Sequence, residues 1–134
     1  MSRQFDEPGF IYLLSRPDGW CRIGRTINPK QRWRQWRWMA TGDTEFAGLR
    51  PVALAAVSHQ ITCERLLHGF FDADRDLRKA TNGHRYEWFY LPTAEKKHDF
   101  VRFASFLGGQ VYAMRGEWLV PGEDDEILKQ GRVD

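Results

Sequence analysis

Three features of this 134-residue chain combine residue type and spacing in ways that bear on chemistry. The stretch "CRIGRTINPKQRWRQWRW" (21–38) holds six basic side chains and three tryptophans and no acid. Guanidinium groups bind phosphates bidentately, and an acid-free basic surface gains affinity for a polyanion through counterion release. A helix with its tryptophans in the core and its arginines in water accounts for the same letters. Glu64 and His68 stand four apart, so on a helix both project from one face, the spacing of a metal-ligand pair and equally of an ordinary exposed pair. No further Cys or His stands at zinc spacing, whereas a single Glu can hold Mg²⁺ together with water and phosphate. Tyr12, in the apolar run "FIYLLS" (10–15), on its own only fills a sheet face.

The elements that must position these groups follow from local pattern. "FIYLLS", the turn "RPDG" and "WCRIG" (20–24) predict a β-hairpin whose register sets Tyr12 and Arg22 in neighbouring rungs. Asn28 suits an N-cap, Pro29 the first helical position and Gln31 a capping box, so a helix is expected from Pro29 to about Met39. On it the pairs Arg32/Trp36, Trp33/Arg37 and Arg34/Trp38 are i,i+4 neighbours, with Trp33 and Trp36 expected on different faces. "PVALAAVSH" (51–59) reads as a buried strand, and Thr62 as the cap of a second helix with Leu66, Leu67, Phe70 and Phe71 inward. After a loop at 78–85, "YEWFYL" (86–91) reads as a short strand. Thr93 then opens a third helix that buries Phe100, Phe103, Ala104 and Leu107 and ends at Gly108 and Gly109. "QVYAM" and "EWLVP" predict a last small hairpin, and "GEDDEILKQGRVD" an acidic, mobile tail.

Composition narrows the class. Net charge is +2, yet residues 1–67 carry ten basic against six acidic residues and 68–134 ten against twelve, so the positive charge gathers in the half holding the basic run. Cys21 and Cys63 lack metal or redox spacing, and neither a secretory signal nor a membrane-length apolar run is present, which predicts a reducing, cytoplasmic setting without membrane contact.

Taken in order, "FIY" (10–12), "RIG" (22–24) with "RTINPKQR", "ERLLHGFF" (64–71) and "GHRYEWFYL" (83–91) resemble the GIY-YIG nuclease superfamily, most of all its phage T5 orf172-type branch. The resemblance covers about residues 9–91. It implies an α/β (α+β) fold: a small, mainly antiparallel central sheet flanked by helices, here with a C-terminal helix and short hairpin extension. One domain over 1–120, with the motif-bearing core at 9–91, the extension at 92–120 and the tail at 121–134, is the expected organisation.

The resemblance further implies an endonuclease that hydrolyses DNA phosphodiesters with one Mg²⁺ or Mn²⁺, RNA being a second substrate class. By position Tyr12 would be the general base, Arg32 the stabiliser of transition-state charge and Glu64 the metal ligand. Arg25, Lys30, Arg34 and Arg37 would grip the phosphate backbone. Arg22 stands where the second motif has tyrosine, and a phenylalanine where the first usually has glycine; Arg22 is expected to favour a Tyr12 phenolate. His68 matches a site position of this branch, and Glu87 a phosphate-facing or structural one. A homodimer or a targeting protein partner is compatible with so small a domain. The alternative is a nucleic-acid-binding module of the same fold with weak or lost catalysis, and a further one an interaction domain using the tryptophan-rich helix on a protein.

Overall fold

A computed structural model describes residues 5–75 and 88–124. Strand β1 (Gly9–Ser15) pairs antiparallel with β2 (Trp20–Thr26), aligning Tyr12 with Gly24 and Leu14 with Arg22, so Tyr12 and Arg22 share a face of the sheet but stand two rungs apart rather than in neighbouring ones. Pro17 and Gly19, whose φ of +94° suits only glycine, make the turn between them. Helix α1 (Pro29–Ala40) follows, then strand β3 (Arg50–Val57), helix α2 (Gln60–Phe70), strand β4 (Trp88–Tyr90), helix α3 (Ala94–Phe106) and strand β5 (Gln110–Ala113). The described strands form one antiparallel sheet in the order β4-β2-β1-β3-β5, as expected for an α+β fold.

Because side chains alternate along a strand, the sheet has two cores. Ile11, Leu13, Cys21 and Ile23 point to one face and meet Cys63 and Leu67 of α2 and Phe100, Val101 and Ala104 of α3. Tyr12, Leu14, Leu54 and Trp88 point to the other and meet Trp33 and Trp36 of α1. Those tryptophans, three apart, share one face of the helix rather than the expected two. Burying an indole removes about 200 Å² from water, on the order of 5 kcal/mol before entropy is counted, against about 1 kcal/mol for a cap. The two indoles therefore decide which way α1 is turned, and the cap decides where it begins.

Asn28 is that cap, its side chain accepting from the Gln31 N–H at 3.1 Å. The Asn28 N–H goes not to Gln31, as a capping box requires, but to the Thr26 hydroxyl at 3.0 Å. The start of α2 also differs from expectation. Thr62 lies inside the first turn, and the helix is capped from a distance by Asp6, whose carboxylate accepts from the N–H groups of Ile61 and Thr62 and from the Thr62 hydroxyl. The helix starts three residues earlier than expected, at Gln60, and only part of the expected inward side is buried: Leu67 and Phe71 are inside, whereas Leu66 and Phe70 are exposed. Thr93 caps α3 as expected, accepting from the Lys96 N–H at 3.1 Å.

The C-terminal hairpin is not formed. β5 pairs with β3, and 117–120 runs as an irregular strap on which Trp118, Leu119 and Val120 pack against the α1 core. Of the tail, residues 121–124 form a turn; the remainder, like the loop 78–85 and Glu87, lies outside the described residues. No helix among the described residues is long and apolar enough to cross a membrane.

Candidate active site

The centre of the site is the Tyr12 hydroxyl. It is 4% exposed and accepts a hydrogen bond from the Trp36 indole N–H at 3.1 Å. Since an indole N–H only donates, the phenolic proton is left directed elsewhere. Gly24 faces the ring from β2, which explains the glycine of "RIG": a side chain there would occupy the place of the phenol. Edge contacts with Trp33 and Trp36, at centroid distances of 5.6 and 6.3 Å, hold the ring.

Arg22 lies beside it, 6% exposed, with its guanidinium 4.9 Å from the Trp36 ring centroid and 5.2 Å from those of Phe46 and Trp88. Such a box suits a delocalised cation. Burial pulls the Arg22 pKa down to about 10, opposed by the Tyr12 and Glu45 charges, so it remains protonated at neutral pH.

Burial also raises the Tyr12 pKa above its ordinary value of 10.0. The Trp36 hydrogen bond, Arg32 and Arg22 pull it down in that order, and the charge of Glu64 pushes it up. The expectation about Arg22 is thus corrected in its outcome: the guanidinium does favour phenolate, but desolvation of the phenolate outweighs it. Tyr12, Arg22 and Arg32 are nevertheless brought within electrostatic reach of one another, with Glu64 at the edge of the group.

Glu64 approaches from the other layer. Arg25, which alternation turns toward α2, places Nε 3.4 Å from Glu64 Oε1, both side chains being half-buried. His68 is committed elsewhere: its Nε2–H donates to the Ile23 carbonyl at 2.7 Å, and its ring lies 5.2 Å from that of Phe89. It ties α2 to β2 one turn from Glu64. No three His, Cys, Asp or Glu side chains cluster as a metal cage among the described residues. The donor set is one half-buried carboxylate, which fits a hard cation that keeps its waters and takes its other ligands from a phosphate, and fits zinc poorly.

The basic run divides. At about 100° per residue, Arg32 lies about 200° around the helix from Arg34. Arg32 acts on Tyr12, whereas Lys30, Arg34 and Arg37 line a groove on the opposite flank with Trp38 and Trp118. Helical periodicity carried that signal. Nothing local announced Trp36 as the partner of Tyr12, or Trp118, whose neighbours read as a strand.

A family model described as the T5orf172 domain matches residues 9–105, well over half of the chain. No curated protein gives a significant match to it.

Proposed function

Since the chain belongs to the T5orf172 domain family, we propose that it is a GIY-YIG-like endonuclease that hydrolyses DNA phosphodiester bonds with a single Mg²⁺ or Mn²⁺. The observation that supports this best is the setting of the Tyr12 hydroxyl, held by Trp36 and subject to the charges of Arg22, Arg32 and Glu64.

In this proposal a phosphate enters beside Arg32. The guanidinium adds fixed positive charge where negative charge develops on the non-bridging oxygens, without needing to reorganise. Tyr12 orients the attacking water and, as phenolate, takes its proton; Trp36 N–H and Arg22 stabilise that phenolate. Glu64 would hold the divalent ion, which when bound polarises the phosphate and neutralises the leaving oxygen. Arg25 must release Glu64 for this and would turn to the phosphate backbone. His68 is a positioning residue that fixes α2, and with it Glu64, against β2.

One observation favours a second reading, a binding module of weak activity: a desolvated Tyr12 rests as neutral phenol, and Arg25 already occupies Glu64. Supercoiled plasmid incubated with the protein and Mg²⁺, Mn²⁺ or EDTA separates the two. Metal-dependent nicking, lost in Glu64→Ala and Arg32→Ala, is expected; no nicking under any condition, or equal nicking by both variants, leaves the binding module.

A further inference from the structure

On the flank of α1 away from Tyr12, that helix and the 117–124 segment enclose an open groove of about 470 Å³. Its floor is aromatic. Trp118 meets Trp33 edge-on at 5.4 Å, and the Trp33 indole N–H donates to the Leu119 carbonyl at 2.6 Å, which fastens the strap to the helix. Its mouth is cationic, with Arg34 and Arg37 both exposed. The two acids that line the groove are already engaged, Glu123 by Lys30 at 2.9 Å and Asp124 by the Val120 N–H at 2.8 Å. Neither arginine has a carboxylate partner among the described residues. Beside them, one turn after Arg34, stands Trp38, 78% exposed, which also borders an adjoining depression with Arg34.

An indole left in water beside these two guanidinium groups is poor design for a helix surface and good design for a chain that alternates flat rings with phosphates. We infer that this groove is a second nucleic-acid subsite, taking a single-stranded segment whose base stacks on Trp38 while Arg34 and Arg37 hold the flanking phosphates. Every base has a π-face, so such a platform is tolerant of sequence. A duplex buries its ring faces in its own stack and offers only phosphates. An acidic peptide satisfies the arginines and leaves the indole uncovered. The inference rests on the nucleic-acid reading above, but not on cleavage: Arg32 and Glu64 take no part in the groove.

The test is fluorescence anisotropy with a labelled oligothymidylate of about 12 nucleotides, in EDTA. Trp38→Ala is expected to weaken binding about tenfold and Trp38→Phe to restore most of it. Replacing Arg34 and Arg37 by Ala should flatten the slope of log K against log salt by about 1.4, or about 0.7 for each phosphate no longer neutralised. Trp38 is exposed, so an unchanged Tm certifies the fold of its variants. Unchanged binding by Trp38→Ala, or displacement of the oligonucleotide by polyglutamate as readily as by unlabelled strand, overturns the subsite. Trp38-dependent binding without plasmid nicking leaves the subsite standing and removes the nuclease; nicking with Trp38-independent binding does the reverse.

Discussion

Gly24 and Tyr12 face each other across the first hairpin so closely that a Cβ on Gly24 would stand 2.3 Å from the phenolic oxygen and 2.4 Å from the carbon that bears it. The phenol ring is packed between two indoles and cannot yield. Gly24→Ala is therefore expected to cost about 1–3 kcal/mol through overpacking and to dislodge the hydroxyl from Trp36. Denaturant unfolding reads the first effect. Plasmid nicking, depressed further than Tm alone explains, reads the second.

The raised Tyr12 pKa carries a pH dependence of definite sign. The base form is the phenolate, so below the pKa its fraction, and with it the single-turnover rate, climbs tenfold per pH unit through neutrality toward the alkaline range. Tyr12→Phe should lie flat and low over the same range. Arg22→Leu removes one of the charges that favour phenolate and should lower the rate at every pH below the pKa. An Arg22→Leu profile coinciding with that of the parent would remove Arg22 from the site.

The Arg25–Glu64 pair sets metal affinity against ion pairing. The pair is partly exposed, so its strength is on the order of 0.2–1 kcal/mol. Arg25→Gln should then tighten Mn²⁺ binding by about 1.5- to 5-fold in a calorimetric titration while weakening DNA binding in EDTA. Weaker Mn²⁺ binding by this variant would mean that Arg25 supports the ion site rather than competing for it.

Asp6 ties the segment before β1 to the start of α2. Desolvation works against its charge, but hydrogen bonds from the Thr62 hydroxyl and the Ile61 and Thr62 N–H groups hold its pKa below the ordinary 3.8. A carboxyl depressed on folding contributes stability above its unfolded pKa and loses it as pH falls through the folded one. Asp6→Ala should thus lower Tm by a few degrees at pH 7, and the gap should narrow below about pH 4. A gap that stays constant down to pH 2 would show that packing, not the carboxylate, is what the substitution removes.

Most of what positions Tyr12 was legible in the sequence. The hairpin, the Asn28 and Thr93 caps and the buried third strand depend on residues a few positions apart, and their physics is complete within such a window. The start of α2 went wrong because its cap comes from Asp6, more than fifty residues earlier, and its buried side went wrong because which residues of the apolar arc face inward is decided by the sheet and α3 packed against it. The supposed C-terminal hairpin went wrong for a related reason. "QVYAM" and "EWLVP" both have strand-like composition, but β5 finds its partner in β3, and the strap finds more apolar surface on Trp33 than a two-stranded ribbon offers.

The sequence by itself determined the order of elements as far as α3, because alternation and capping are written along the chain, and its resemblance to a known family supplied the antiparallel α+β class and the grouping of Tyr12, Arg32 and Glu64. Only the tertiary structure decided the state of those groups. Whether an arginine activates a tyrosine depends on how much water each has lost, and burial is a property of layers, not of neighbours in sequence. The same holds for the basic run: one helix, turned by the burial of Trp33 and Trp36, sends Arg32 to one side and Arg34, Arg37 and Trp38 to the other.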